Sequence, residues 1–248
     1  MLQELKEHVA SNLSHHQKEV LKSVLRKVHL YSPRPEQVYL ESVVSNSPSL
    51  FFIQIGANDG QDFVRTVLGQ QQGRHKISGI LVEPQRYFYE KLQSTYDGVQ
   101  GVELLNVAIS DTDKSLTLYH VDYDHQDLPD WAKGLGSFSK EVLLSHSHLI
   151  QDLESKIREL PVKCMTVSEL LKRSGGAQLD VLITDTEGHD FVILKQFDFA
   201  TVKPKLIIYE SKHLSLADFA ACEKMLSGVG YKITHLNNDN SVAVLNQP

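Results

Sequence analysis

From residue 50 onward, short apolar runs alternate with stretches of helical spacing. Leu50–Ile55 is a near-continuous apolar run, and Gly79–Glu83, Leu179–Thr184 and Lys205–Tyr209 repeat the pattern, with a further run inside Val102–Ile109. Strands covered on both faces read this way, as unbroken apolar runs without alternation. Between them, Asp62–Gly69, Gln85–Ser94, Thr166–Arg173, His189–Phe197 and Leu216–Gly228 carry helical spacing. Strand–helix alternation predicts βαβ units, hence an α/β, Rossmann-like fold with a mostly parallel sheet and helices on both faces. Tyr231–His235 and Val242–Leu245 flank the polar turn Asn237-Asn238-Asp239-Asn240 and predict a C-terminal antiparallel hairpin.

The opening segment has a different pattern. Leu2, Leu5, Val9, Leu13, Val20, Leu21, Val24, Leu25 and Val28 fall at helical spacing, and Ser32-Pro33-Arg34-Pro35 stops the run. Residues 1–49 therefore read as an N-terminal helical extension, a cap, lid or oligomer contact, and residues 50–248 as the main domain. Within the latter, Ser115–Val121 alternates and predicts a strand that extends the sheet or pairs with the strand before it. Residues 122–160 break the rhythm, are rich in His, Asp and Ser, and hold the only tryptophan, Trp131. A long insertion in a compact domain is often functional. It is expected to face the substrate, with a short helix near Lys140–Ser147.

Composition narrows the function classes. The 248-residue chain is 41% hydrophobic and 23% charged, with a formal net charge of -6. This is ordinary for a globular protein, and the acidic surplus argues against a broad nucleic-acid footprint, which needs a clustered basic face. The two cysteines, Cys164 and Cys222, lack CxxC spacing and offer neither a disulfide framework nor a thiolate metal site. Without an apolar leader or an 18-residue apolar stretch, the expectation is a cytoplasmic protein with no membrane span.

Five strand ends carry the candidate chemistry. After Leu50–Ile55 comes Gly56-Ala57-Asn58-Asp59-Gly60-Gln61-Asp62, a small-residue turn leading into a helix. In open parallel sheets ligands bind outside the carboxyl ends of the strands. The turn is not GxGxxG, and Asp59 and Asp62 stand where a pyrophosphate would need bare amides. A cationic amino-acid moiety suits it better. Glu83, in Val82-Glu83-Pro84, ends the next strand 27 positions beyond Gly56. A carboxylate so placed can accept both hydroxyls of a ribose. Asn106-Val107-Ala108 ends the third strand and offers a polar contact near an adenine. Asp185-Thr186-Glu187-Gly188-His189 ends the fourth and supplies two carboxylates and an imidazole, for general-base work or as O,O,N metal ligands. Base chemistry is the reading adopted, with no metal assigned. Glu210 ends the fifth strand and can orient a substrate.

In this order and spacing the motifs resemble the FkbM family of methyltransferases over roughly Phe51 to Leu245. The carriers are the G-A-N-x-G turn at Gly56–Gly60, V-E-P at Val82–Pro84, N-V-A-I-S at Asn106–Ser110, D-x-E-G-H at Asp185–His189, and Glu210. The resemblance implies a class I methyltransferase sheet, S-adenosyl-L-methionine as donor, and methylation of a hydroxyl on a sugar or natural-product acceptor. It places Gly56, Ala57, Asn58 and Asp59 at the methionine end, with Gln61 from the same turn. Glu83 and Pro84 fall at the ribose and Asn106, Val107 and Ala108 by the adenine. Asp185, Glu187 and His189 face the reacting centre, and Ser137 approaches the cofactor beside Gly136. Glu210 and Trp131 are assigned to the substrate. One departure is Thr184 and Thr186, where the family often has apolar residues.

The expected reaction is in-line displacement at a sulfonium methyl, with His189 as base and Asp185 or Glu187 orienting it. Positioning can supply about 7–11 kcal/mol in such a step, and a base about 10²–10⁴-fold. Two other readings stay open on sequence: a nicotinamide oxidoreductase, against which the missing GxGxxG weighs, and a non-catalytic cofactor-binding module.

Overall fold

A computed structural model describes residues 33–71, 73–124, 128–236 and 239–246. The helix expected over residues 2–31, and Asn237 and Asn238 of the expected turn, lie outside the described residues. The main sheet has seven strands. In chain order they are β1 (Ser49–Ile55), β2 (Lys76–Val82), β3 (Val102–Leu105), β9 (Val181–Thr184), β10 (Leu206–Glu210), β11 (Tyr231–Leu236) and β12 (Asn240–Leu245). They lie side by side as β3-β2-β1-β9-β10-β12-β11. All pairings are parallel except those of β12, which runs antiparallel to both β10 and β11. The expected parallel sheet with a closing hairpin is therefore present.

Both faces of the sheet are covered, and successive residues of β1 show how. Phe51, Ile53 and Ile55 join one core with α7 (Val167–Arg173), α8 (Asp190–Leu194) and α9 (Leu216–Gly228). Leu50 and Phe52 join the other with α1 (Pro35–Ser45), α2 (Phe63–Gln70) and α3 (Arg86–Thr95). Side chains alternate across a strand, so a strand buried on both sides shows no polar face in sequence. Local signals fix the helix starts. Asp62 caps α2 by accepting from Arg65 N–H, and Thr166 and Glu169 form a reciprocal capping box on α7.

Pro35 is the first residue of α1, where its missing N–H costs nothing and its fixed φ already suits the helix. Leu40 and Val44 of α1 are fully buried against the sheet. One sequence expectation needs correction. The alternating strand β5 (Leu116–Val121) neither extends the main sheet nor pairs with the strand before it. It lies antiparallel between β6 (Gly136–Ser137) and β7 (Ile157–Val162), both from downstream, as a three-stranded sheet of its own. Strand pairing is non-local, so the partner of an alternating run cannot be read from the run itself. The 122–160 segment also carries three short helices, α4 (Asp130–Lys133), α5 (Lys140–Leu144) and α6 (Leu153–Lys156), with a small core of its own around Val121, Leu135, Leu143 and Leu153. Short β4 (Ala108–Ile109) leaves the line of β3 to pair with β8 (Cys164–Met165). No described helix is long and apolar enough to cross a membrane.

The buried α1 makes residues 35–45 part of the core. Leu40→Ala should cost about 2–5 kcal/mol, as large-to-small changes at fully buried sites do. Urea denaturation measures it, and a loss below about 1 kcal/mol would show that α1 is not docked as described.

Candidate active site

Strand order reverses between β1 and β9, and a cleft opens beyond their carboxyl ends, the place where open α/β sheets bind ligands. Gly56, Asn58, Glu83, Pro84, Val107, Ala108, Trp131, Asp185, Glu187 and His189 all line it. Backbone ladders that run on past the strands bring these ends together. Gly56 and Ala57 N–H both donate to Val82 C=O, at 2.9 and 3.0 Å, Asp185 N–H to Ile55 C=O at 3.0 Å, and Glu83 N–H to Leu105 C=O at 3.0 Å.

Gly56 is the tightest point. Its φ is +84°, and a Cβ placed there would lie 1.8 Å from the carbonyl oxygen of Asp185. Only a residue without a side chain lets the β1 and β9 turns touch. Beyond it, Asn58 also holds a left-handed backbone, φ 50°, with its side-chain oxygen accepting from Asp59 N–H at 2.7 Å. Asn58 N–H in turn donates to Glu83 at 2.9 Å. Ala57 is buried, whereas Asp59 and Gln61 lie outside the cleft wall, Asp59 accepting from Gln61 N–H at 2.9 Å. Asp62 is a helix cap that also accepts from Gln54 Nε2 at 2.6 Å.

Glu83 is buried at the end of β2 and accepts from two amides, those of Asn58 and Gln85. Burial dominates over these hydrogen bonds, and with the nearby Asp59 it pushes the carboxyl up to about 7. Asn106 does not face the cleft. Its amide donates to the carbonyls of Glu83 and Pro84 at 2.9 and 3.0 Å, bracing the turn that carries Glu83. Ser137 is likewise a brace: its hydroxyl donates to Glu187 C=O at 2.6 Å, across 50 residues of chain. That bond pins a residue with φ 51°, immediately before Gly188.

The D-x-E-G-H turn separates into two groups. His189 points away from its acidic neighbours. Its Nε2 lies 3.1 Å from Ser110 Oγ, its ring packs edge-on to Phe138, and burial lowers its pKa. It belongs to the wall formed by Val107, Ala108 and Ile109. Asp185 and Glu187 face the other way. Asp185 is open to solvent at the cleft, yet crowding by protein atoms, with the charges of Glu187 and Asp190, raises its pKa. Beside them stands His213, which the sequence reading did not single out. Its Nε2 lies 3.2 Å from Glu187 and 3.6 Å from Glu210. The one available signal was its position three residues beyond Glu210. Gly188 makes room for it, with a Cβ there falling 3.3 Å from that of His213.

Trp131 sits at the cleft, 49% exposed, and its ring leads through His146 to His213, with centroids 5.8 and 5.4 Å apart. Leu118, Gln85, Gly136, Phe138 and Thr186 complete the lining, Gln85 reaching Gly134 C=O at 3.2 Å. Thr186 donates through its hydroxyl to the fully buried Asp190 at 2.7 Å.

With this geometry in place, the comparisons are decisive on family. The profile of the FkbM methyltransferase domain matches residues 54–233. The chain belongs to the FkbM methyltransferase family. Among solved structures, methyltransferase FkbM from Methylobacillus flagellatus KT is 14% identical, with a TM-score of 0.50 over 80% of this chain and 44% of that one. The present chain thus spans less than half the length of that relative. A SAM-dependent methyltransferase from Aquifex aeolicus matches at 10% identity and a TM-score of 0.40, covering 90% and 96% of the two chains. The ribosomal protein L11 methylase from Lactobacillus delbrueckii subsp. bulgaricus gives 8% and 0.41, covering 88% and 81%. No curated protein matches. At such identities the likeness is one of fold, and the sheet order is that of class I methyltransferases.

The contact at Gly56 makes glycine a steric requirement of this turn. Gly56→Ala should destabilise the protein by about 1–3 kcal/mol or more, through overpacking and an unfavourable φ. Gly228→Ala, in open space at the end of α9, should be neutral or slightly stabilising. Equal denaturation midpoints for the two variants would refute the close approach.

Proposed function

We propose that this FkbM-family protein is an S-adenosyl-L-methionine-dependent methyltransferase acting on a hydroxyl of a sugar or natural-product acceptor. The observation that carries the reading is the single cleft in which Gly56, Glu83 and Asp185, each from a different strand end, converge. Gly56 and Asn58 line the methionine end, with Ala57, Asp59 and Gln61 shaping that turn from behind. Glu83 accepts the ribose hydroxyls beside Pro84. Val107 and Ala108 pack on the adenine, with Asn106 holding the turn opposite. Ser137 acts through Glu187.

The role of His189 changes. Its contacts with Ser110 and Phe138 support a place on the adenine wall, and we assign it there and not to proton transfer. The group that meets the acceptor hydroxyl is then Glu187, Glu210 and His213, with Asp185 between it and the donor. Trp131 offers a half-exposed ring face against which the apolar face of a cyclic acceptor stacks. With the donor bound, the hydroxyl oxygen would attack the sulfonium methyl, the C–S bond breaking with its electron pair to sulfur and the hydroxyl proton passing to water. The protein's contribution is alignment of the three atoms.

Calorimetry against S-adenosyl-L-methionine and NAD tests the donor, and transfer of labelled methyl to a panel of hydroxyl acceptors tests the reaction. Binding of NAD alone, or donor binding without transfer to any acceptor, would sink it. Glu83 adds a pH signature. Ribose hydroxyls donate to the ionised carboxylate. In the free protein that form is lost as pH falls through about 7. Donor affinity should therefore weaken toward pH 6 by up to about tenfold per unit, beyond whatever the ligand's own amine contributes. Glu83→Gln should bind weakly and lack this component. Identical pH profiles for the two proteins would remove Glu83 from the ribose.

A further inference from the structure

Glu187, Glu210 and His213 meet where the turn after β9 faces the end of β10. One donor atom from each lies within 4.8 Å of the others. Three observations separate this group from an ordinary acidic patch.

The first is depth without partners. The side chains of Glu210 and His213 are each 9% exposed. Glu210 Oε2 and His213 Nε2 are buried with no hydrogen-bond partner. Buried polar atoms are nearly always satisfied, and an unpartnered carboxylate oxygen costs more than a neutral one. Asp190 Oδ1 and Glu36 Oε2 are also unpartnered, but each of those carboxylates holds a donor on its other oxygen, Thr186 and Asn240 respectively, and Asp180 accepts from Phe51 N–H, whereas Glu210 has His213 alone nearby, at 3.6 Å.

The second is direction. A carboxylate oxygen of Glu187 lies 3.2 Å from His213 Nε2, yet the ring N–H does not point at it to form a hydrogen bond. Ligands at about 2.0–2.2 Å from a common ion stand about 2.8–3.1 Å apart at right angles and about 3.3–3.6 Å apart in a tetrahedron, each well off its neighbour's axis. The separations of 3.2 and 3.6 Å match those edges.

The third is charge. The Glu187 and Glu210 carboxylates both lie beside the His213 ring, and among the described residues no lysine or arginine forms an ion pair with either; Lys212 pairs with Asp239 at 3.6 Å.

We propose that Glu187, Glu210 and His213 bind one divalent first-row transition-metal cation, with positions left open for the acceptor's oxygen. The O,O,N donor set favours manganese- or zinc-class ions: an imidazole suits the later metals, and two carboxylates suit manganese. Three protein ligands with open positions are the pattern of catalytic sites. The cation polarises the acceptor O–H bond. The proton passes to water, the O–CH3 bond forms and the C–S bond breaks, and no oxidant or reductant enters. The inference rests on the donor reading above and deepens it.

The test uses the 248-residue chain stripped with EDTA and titrated with MnCl2, free ion being read by electron paramagnetic resonance. One Mn2+ per chain, displaced by ZnCl2, is expected. His213→Ala and Glu210→Gln should each weaken uptake more than about tenfold, the scale that loss of even an outer-shell partner brings. His189→Ala should leave uptake unchanged. The isosteric Glu210→Gln keeps the comparison valid if His213→Ala misfolds. No uptake at millimolar Mn2+, uptake unchanged in both ligand variants, or loss in His189→Ala alone would overturn the site. Donor calorimetry on the stripped wild type reports separately: retained S-adenosyl-L-methionine binding leaves the donor site standing whatever the cation result.

Discussion

The site rests on one backbone contact. Gly56 and the carbonyl of Asp185 approach so closely that no side chain fits between them. The contact joins the turns after the two central strands, at the point where strand order reverses. The ladder from Val82 and Leu105 then sets Glu83 at the same height, and Asn58 links its turn to that carboxylate. Packed strands resist sliding, because a slip of one residue would turn every side chain to the wrong face. A cleft built on such ends is held by the sheet and not by the loops.

The loops contribute braces. Ser137 ties the downstream segment to the strained Glu187, and Asn106 ties the end of β3 to the Glu83–Pro84 turn. Both residues have chemistry that could address a ligand, and both spend it on backbone carbonyls. This arrangement holds the Glu83 and Glu187 turns at defined heights at the cleft. Residues held in sparsely populated backbone conformations persist only where the surroundings over-determine them, and the Ser137 bond is part of that surrounding here.

Carboxylates divide the same way. Asp62 caps a helix, Asp180 accepts from Phe51 N–H and pairs with Lys205, and Asp190 is buried beneath the threonine hydroxyl of Thr186. These are structural, and their partners say so. Glu210 has burial without a donor, and Glu187 has His213 nearby without an aligned hydrogen bond. Partner geometry, not residue type, distinguishes the two sets.

The sequence by itself determined the sheet, its hairpin and the strand ends that carry Gly56, Glu83, Asp185 and Glu210, because apolar runs and small-residue turns are local signals. It also placed Trp131 beside the site through the broken rhythm of the insertion. Only the tertiary structure decided how these residues pair. It sent β5 to partners downstream, turned Asn106 and Ser137 into braces, drew His189 to Ser110 and put His213 between Glu187 and Glu210. Those outcomes depend on which side chains face one another across strands far apart in the chain. A one-dimensional pattern fixes which face a residue occupies, but not what stands opposite it.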